Sequence, residues 1–318
     1  MKKIIAMVCV LLMLLSMTAC TPAAGDGKYV IGICQFAPHA ALDAATEGFK
    51  QAVIDGLGAD NVEFKTENAA GETANCTTII NSLVSAKVDL IMANATPAVQ
   101  IAANATRSIP VLGTSVTEYG LALDIDNFNG TTGTNVSGTS DLAELDQQAD
   151  MLLEWFPNAK KVGLLYCASE PNSLYQVEEI TKHLSQKGVT CKKFAFADSN
   201  DMAAVVRDAA AWSDVIYVPT DNAVANATDV VDSICRPAGV PVIAGEEGIC
   251  AGCGVATLSI SYYELGYITG QMAVKILKGE AKVSEMPIQY ASTTKKYNAE
   301  ICDALKLEVL EGYEKIGE

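Results

Sequence analysis

Basic residues are scarce in this chain of 318 residues. Lysine and arginine number 22 against 38 aspartate and glutamate residues, which leaves a formal net charge of −16. Nucleic-acid binding and docking on anionic lipid both need basic surface, so this balance argues against both. Only two histidines are present, and they are too far apart in sequence to suggest a metal site. We therefore expect no nucleic-acid partner, no metal and no cofactor.

Long apolar runs and catalytic motifs are missing as well. After the amino-terminal segment, no run is long and apolar enough for a transmembrane helix. The sequence shows no Ser-His-Asp constellation, no Walker loop and no cluster of metal ligands. We therefore predict that the protein is not an enzyme.

The amino terminus has the pattern of a secretory signal. A basic start at Lys2 and Lys3 precedes an apolar core, and small residues lead to Cys20. This arrangement resembles the bacterial lipoprotein signal, in which the cysteine is lipidated. We predict a signal peptide over residues 1–19, a lipidated tether over residues 20–27, and anchoring on the extracytoplasmic face of the cell membrane. The alternative is an ordinary signal peptide in which Cys20 is incidental.

A stretch that reads as an apolar strand with a polar end occurs twice. The first copy covers residues 88–99 and the second covers residues 213–224, so that Thr96 in one matches Asp221 in the other. Strands of continuous apolar character alternate with helix-like segments along the chain. This pattern is typical of a parallel sheet covered by helices on both faces.

The repeat predicts an α/β fold of two doubly wound parallel-sheet lobes joined by a multi-strand hinge. A glycine-rich segment at residues 127–140 marks the first crossing between the lobes. We expect a first lobe of residues 28–138 plus about 258–284 and a second lobe of residues 139–257 plus about 285–318. Asp141 is expected to cap the helix after the crossing, and residues 306–318 are expected to form a charged tail of doubtful order.

Ligands of open α/β sheets bind beyond the carboxyl ends of the strands, so the two lobes should share one cleft. Helices begin at several of the turns concerned, and their free N–H groups should point into it. Thr96 and Asp221 occupy matching turns. A zwitterionic ligand needs that asymmetry, with an anion on one side and neutral donors on the other. The alternative is that Asp221 only caps the next helix.

Several segments, in order, resemble one known family. They are Ile33–Phe49 (ICQFAPHAALDAATEGF), Asn94–Gln100 (NATPAVQ), Gly113–Val116 (GTSV), Tyr217–Asn222 (YVPTDN) and Tyr262–Gly270 (YYELGYITG). They make the chain similar, over about residues 28–305, to the ABC-transporter substrate-binding lipoproteins of the tryptophan/tyrosine-binding type. The resemblance implies a type I periplasmic-binding-protein fold, an ABC permease as partner, and an aromatic amino acid as ligand.

A more distant resemblance, to the branched-chain amino-acid binding proteins of the same fold, implies roles for single residues. By position, Thr96 and Ser115 would hold the ligand carboxylate, and Asp221 would hold the ammonium group. The predicted ligand-binding residues are Gln35, Phe36, Thr96, Thr114, Ser115, Asn172, Ser173, Asp221, Asn222 and Glu246.

Three aromatic residues are candidates to stack on an aromatic ligand, although each could equally belong to the core or the rim. They are Phe36, Tyr119 and Tyr166. The resulting interpretation is a monomeric solute-binding lipoprotein of an ABC importer that closes about a hinge on tyrosine, tryptophan or phenylalanine. A branched-chain amino acid, a nucleoside or a sugar is an open alternative for the ligand, and a sensing or adhesin role is also open.

Eight cysteines remain after the signal segment and Cys20 are set aside. Several lie in or beside apolar strand-like runs, so we expect mostly free, buried thiols. Cys250 and Cys253 have the CxxC spacing, which leaves an exported thiol–disulfide protein as an alternative function.

Overall fold

The structure, a computed structural model, describes residues 27–317. The predicted signal peptide, Cys20 and most of the tether lie outside the described residues. Within residues 27–317 no helix is long and apolar enough to cross a membrane. The strands, numbered in chain order, are β1 (Tyr29–Gln35), β2 (Val62–Asn68), β3 (Leu90–Asn94), β4 (Val111–Val116), β5 (Val136–Ser140), β6 (Lys161–Cys167), β7 (Thr190–Phe196), β8 (Val215–Val218), β9 (Val242–Ala244), β10 (Ala256–Ile260), β11 (Gln289–Tyr290), β12 (Thr293–Tyr297) and β13 (Glu314–Lys315).

Helices fill most of the connections between the strands. They are α1 (Ala40–Leu57), α2 (Thr73–Ser85), α3 (Thr96–Ala105), α4 (Tyr119–Ala122), α5 (Leu145–Trp155), α6 (Pro171–Gln186), α7 (Ser199–Trp212), α8 (Asn222–Ala225), α9 (Thr228–Ala238), α10 (Glu247–Cys253), α11 (Tyr262–Leu277) and α12 (Ala299–Leu305). Short 3-10 turns lie at Ala59–Asn61 and Val283–Glu285.

The strands form two sheets, one in each lobe. The first sheet has the order β11-β5-β4-β3-β1-β2, and the second has the order β13-β12-β10-β9-β8-β6-β7. The pairings are parallel except between β10 and β12, which are antiparallel. Strands β3 and β8, the two copies of the repeated stretch, are buried along their whole lengths. The predicted fold class is confirmed.

The chain crosses between the sheets three times. Strands β1–β5 and β11 belong to the first sheet, and β6–β10, β12 and β13 belong to the second. The crossings therefore follow β5, β10 and β11. The second and third crossings lie after Ile260 and Tyr290. These positions are a few residues later than the expected ones near 257 and 284. Three connecting segments form the multi-strand hinge region.

Helices α1 and α11 pack against each other at very short range. A Cβ atom added to Gly266 would lie 1.9 Å from the carbonyl oxygen of Ala45, and one added to Gly48 would lie 2.0 Å from the carbonyl oxygen of Tyr263. Only glycine permits such an approach of two backbones. This contact packs α11 against the first lobe, directly after the second crossing.

The carboxyl-terminal segment is ordered, contrary to the expectation of a doubtful tail. Tyr313 meets Trp155 edge to face, with ring centroids 5.2 Å apart, and its hydroxyl donates to Glu154 at 2.9 Å. Leu307 and Leu310 pack on the core of the second lobe. The apolar residues spaced through this charged segment hold it in place.

Candidate functional site

A small pocket lies between the lobes at the carboxyl ends of the strands. Its cavity volume is about 10 Å³, the space of about one water molecule, because side chains of the two lobes meet there. It is lined by His39, Leu42, Ser115, Thr117, Asp141, Asn172, Thr220, Asp221, Asn222, Ala225, Glu246 and Tyr262. The first lobe and the hinge supply about half of these residues, and the second lobe supplies the others.

Asp141 lies at the first crossing and is deeply buried. One carboxylate oxygen accepts a hydrogen bond from the hydroxyl of Thr117 at 3.2 Å, and the other accepts from the hydroxyl of Tyr262 at 2.8 Å. Burial raises the pKa of this carboxyl group, and the two hydroxyl bonds offset part of that increase. The residue does not cap the next helix as expected, because Glu144 occupies the N-cap position.

Asp221 also lines the pocket, but its oxygens are bound to backbone groups. One accepts from the N–H of Cys167 at 2.7 Å and the other from the N–H of Val224 at 2.9 Å, which caps α8. Ser173, another predicted ligand-binding residue, is buried next to this carboxylate. Burial is the largest influence on the pKa of Asp221 and raises it. This geometry is that of a capping residue which ties the end of β6 to α8.

A second buried carboxylate, that of Glu170, lies close to Asp221. It accepts hydrogen bonds from the backbone N–H of Asn222 at 3.0 Å, from the side-chain amide of Asn222 at 2.6 Å, and from the N–H of Ala223 at 2.9 Å. Burial and, after it, the neighbouring charge of Asp221 together raise the pKa of Glu170 to about 8. Two adjacent acids without a cation are costly to ionise together.

Glu246 completes the acidic lining. It is buried and caps α10 by accepting hydrogen bonds from the N–H groups of Gly248, at 2.6 Å, and Ile249. Burial raises the pKa of Glu246 to about 7. Among the described residues that line the pocket, none is a lysine or an arginine, and burial lowers the pKa of His39. The pocket therefore has an excess of acidic groups.

Hydrogen bonds join the two lobes beside the pocket. His39 lies 3.2 Å from the side-chain oxygen of Asn222, and the hydroxyls of Thr117 and Thr220 are 3.4 Å apart. Gln176, on α6 of the second lobe, donates to the hydroxyl of Thr220 at 2.6 Å and to that of Thr117 at 3.4 Å. The lobes are thus in direct contact.

Some polar atoms at the pocket have no hydrogen-bond partner within the described chain. They include the hydroxyl of Ser115 and the side-chain oxygen of Asn172. Ser115 also has a φ of +55°, a conformation unusual for a residue with a side chain. Buried polar atoms are normally paired, so these two are open to a ligand. Thr96 is similarly buried with an unpartnered hydroxyl, but it is not among the residues that line this pocket.

Other predicted site residues are satisfied within the protein. Gln35 donates to the Ala37 carbonyl at 2.9 Å and to Asp43 at 2.6 Å, and it accepts from Thr46 at 2.7 Å. This matches the pattern of a buried structural amide. The hydroxyl of Thr114 accepts from Thr139 at 3.3 Å inside the sheet.

A wider cavity of about 530 Å³ opens beyond the pocket. Phe36 and Asn222 line it, together with residues 70–74 and 197–199. Of the three aromatic candidates, only Phe36 reaches this space. Tyr119 and Tyr166 lie in the cores of the first and second lobes.

The described cysteines are free thiols. Cys250 and Cys253 are buried in α10, and burial raises the pKa of each well above its ordinary value. A redox-active CxxC pair needs an accessible thiol of lowered pKa. This environment contradicts the alternative of a thiol–disulfide enzyme that uses these two residues.

The predicted ligand-binding residues leave out several that line the pocket, among them Asp141, which was expected only to cap a helix, and Tyr262. Tyr262 opens one of the segments that carried the family resemblance, YYELG, which was the available signal. The hydrogen bonds of Asp141 join residues 24 and 121 positions away in the sequence. No local pattern could indicate them.

Comparison with known proteins identifies the family of this chain. A family model described as ABC transporter substrate binding protein matches residues 30–311. The chain belongs to this family. Its members bind small solutes outside the cytoplasm, work with ABC permeases and catalyse no reaction. A tyrosine-binding protein of Clostridioides difficile (strain R20291) is 34% identical over 263 residues, which are 81% of this chain and 75% of that protein.

Two solved structures are informative about the arrangement of the lobes. An ABC domain in complex with L-Trp from Streptococcus pneumonia is 30% identical with a TM-score of 0.86, and the match covers 91% of this chain and 99% of that one. The ligand-free, open structure of a substrate-binding protein with adhesive properties from Clostridium difficile is 36% identical with the same coverage, but its TM-score is 0.69. The present structure is closer in shape to the complex than to the open form.

Proposed function

We propose that this protein is the extracytoplasmic binding component of an ABC importer and that it takes an amino acid, tyrosine, tryptophan or phenylalanine, into the pocket between its lobes. The observation that carries the proposal is the acidic, closed pocket without a cationic side chain. A ligand with an ammonium group would supply the missing positive charge.

Asp141 is the carboxylate best placed to bind the ammonium group. Its partners are the hydroxyls of Thr117 and Tyr262, which also line the pocket. Each carboxylate oxygen can accept a second hydrogen bond. Asp221 and Glu246 face the same pocket, yet their oxygens hold helix ends through backbone N–H groups. These two acids would contribute negative potential more than direct contacts.

The carboxylate of the ligand needs neutral donors. Ser115 offers an unpartnered hydroxyl at the pocket, and Thr220 offers a second hydroxyl from the facing lobe, whereas the hydroxyl of Thr117 already donates to Asp141. The unpartnered oxygen of Asn172 is an acceptor and suits the ammonium end instead. The two ends of a zwitterion would thus contact different groups, as the asymmetry inferred from the sequence requires. The carboxylate that binds the ammonium group would be that of Asp141 and not that of Asp221.

The aromatic side chain would extend toward the wider cavity beside Phe36. The relatives support this ligand class, since one is a tyrosine-binding protein and another was solved with L-Trp. The higher TM-score to the complex supports hinge closure as the binding step. A ligand that contacts both lobes favours the closed form by its differential affinity.

The location proposed for the protein follows from its amino terminus. Cleavage before Cys20 would remove Lys2 and Lys3, so the net charge would change from −16 to about −18. Lipid on Cys20 would then anchor a monomeric binding protein beside its permease. Incorporation of labelled fatty acid into the wild-type protein, and its loss in Cys20→Ala, tests this part alone.

A thermal-shift screen of the mature protein with the twenty amino acids, nucleosides and sugars tests the ligand. An amino acid present at 100 times its dissociation constant adds about 2.7 kcal/mol to the free energy of unfolding. We expect the largest shift with tyrosine, tryptophan or phenylalanine. The matched amides and N-acetyl derivatives, which lose one charge each, should give little or none. A shift with sugars or nucleosides only would refute the amino-acid proposal.

A further inference from the structure

Two thiols of the first lobe lie in contact although they are far apart in the sequence. Cys34 is in β1 and Cys76 is in the first turn of α2, 42 residues later, and their sulfur atoms are 3.5 Å apart. Both side chains are fully buried. One thiol donates a hydrogen bond to the other sulfur, so the two side chains already point at each other.

The backbone on both sides of this pair is held firmly. Cys34 lies in a strand paired on both sides, with β2 and with β3. The loop that leads to α2 is tied back to the end of β1, since the N–H of Ala69 donates to the Gln35 carbonyl at 2.9 Å and that of Gly71 donates to the Phe36 carbonyl at 2.7 Å. The sulfurs can therefore close their remaining separation mainly by rotation of their own side chains.

We propose that Cys34 and Cys76 form a reversible disulfide in the exported protein, which ties β1 to the first turn of α2. This inference rests on the proposed export, because disulfides persist in oxidising compartments. The bond would fix one wall of the wider cavity, since Phe36 and residues 70–74 lie on either side of it.

The oxidant is an external disulfide, either of low molecular weight or carried by an oxidoreductase. The thiolate of Cys76 attacks one sulfur of that disulfide, forms a mixed disulfide and releases the first external thiol. Cys34 then attacks the sulfur of Cys76, and the second external thiol leaves. The two protein thiols lose two electrons and two protons, and the external disulfide is reduced to two thiols.

Cys76 is suited to the first step. Local opening of the first turn of α2 exposes Cys76, whereas Cys34 lies in a strand that is paired on both sides. Because both thiols are buried in the folded lobe, the exchange takes place while the lobe folds or when the first turn of α2 opens locally.

The CxxC pair provides the internal control. Cys250 and Cys253 lie in one short helix, and the thiol of Cys253 donates to the carbonyl of Ile249 at 3.3 Å. Sequence spacing singles out these two residues, whereas the geometry points to Cys34 and Cys76.

The test is to refold the purified mature protein in a mixture of reduced and oxidised glutathione, alkylate the remaining thiols under denaturing conditions, and map the peptides by mass spectrometry. We expect a peptide pair that joins Cys34 to Cys76 and is lighter than the two reduced peptides by two hydrogens. Closing a loop of this length should raise the thermal midpoint by about 5 °C relative to the reduced protein.

The variants Cys76→Ala and Cys34→Ala should each remove the cross-link and the redox-dependent shift, while the double variant Cys250→Ala/Cys253→Ala should retain both. Either single variant suffices if the other fails to fold. Complete alkylation of both thiols after refolding, or a disulfide that maps to a different pair, would overturn the proposal. A ligand thermal shift measured on the same samples reports on the proposed solute binding separately, so that failure of one idea is distinguishable from failure of the other.

Discussion

Replacing Asp141 by asparagine should separate ligand binding from folding. The substitution preserves the size of the side chain and removes its charge. In the free protein, the carboxylate is buried without a cation and its pKa is raised by that burial, so its ionisation opposes folding. Loss of the charge should therefore leave the free energy of unfolding unchanged or slightly higher.

Ligand binding should respond in the opposite direction. Truncating one partner of a buried, hydrogen-bonded charge pair costs about 2 to 5 kcal/mol. Because about 1.4 kcal/mol corresponds to a tenfold change, the dissociation constant should increase by about 30-fold to several-thousand-fold. Isothermal titration calorimetry with the amino acid that gives the largest thermal shift measures this change, and chemical denaturation of the free protein measures stability.

Asp221→Asn is the matched control in the same pocket. Its two oxygens accept from the N–H groups of Cys167 and Val224 at 2.7 and 2.9 Å, so an amide nitrogen would face one of these donors. We expect a stability loss of about 1 to 2 kcal/mol, as for a helix cap, with a smaller effect on affinity. If Asp141→Asn retained full affinity while Asp221→Asn abolished binding, the assignment of the ammonium site to Asp141 would be refuted.

Two further predictions concern pH and packing. Burial raises the pKa of Glu246 to about 7 and that of Glu170 to about 8, so the folded state binds protons more readily than the unfolded state above pH about 4.5. The free energy of unfolding of the ligand-free protein, measured by urea denaturation, should then fall as pH rises from 5 to 8, by about 3 kcal/mol for Glu246 alone. The variant Glu246→Gln should show a smaller dependence on pH. A stability that rises over this range would contradict the burial of these acids. Gly266→Ala should lower the free energy of unfolding by about 3 kcal/mol in urea denaturation, because its Cβ would lie 1.9 Å from the Ala45 carbonyl oxygen. Gln271→Ala, on the exposed face of the same helix, should change the free energy of unfolding by less than about 0.5 kcal/mol. Equal effects of the two substitutions would show that the close helix packing does not contribute to stability.

The fold could be predicted from the sequence because its signal is local and repeated. Continuous apolar strands, turns at regular intervals and a duplicated stretch with Thr96 and Asp221 at matching positions are each visible within a dozen residues. The returning crossings were displaced by a few residues because β10 and β11 are short, and turn chemistry alone does not fix where such strands end. The ordered tail was missed since Leu307, Leu310 and Tyr313 are spaced among charges, and their burial depends on a distant surface.

The end of the sheets at which the pocket lies could be predicted from the sequence, but the residues that line it less so. Their position after a strand indicated that Ser115, Asn172 and Glu246 lie at this end of the sheet, and they line the pocket. The same rule predicted Gln35 as a site residue, but its amide forms hydrogen bonds with Ala37, Asp43 and Thr46 within the first lobe. A sequence position determines which end of the sheet a side chain occupies. It does not determine whether neighbouring donors have already satisfied that side chain.

Asp141, which was not among the predicted ligand-binding residues, is the most important residue for the proposed mechanism. It follows β5 at the first crossing, and one of its two partners, Tyr262, is the first residue of α11 after the second crossing. Its other partner, Thr117, also contacts Thr220 of the second lobe. The uncompensated carboxylate is therefore connected to two hinge segments and to the facing lobe. An ammonium group that binds there would act on the hinge directly, so that neutralising one buried charge and stabilising the closed arrangement would be the same event.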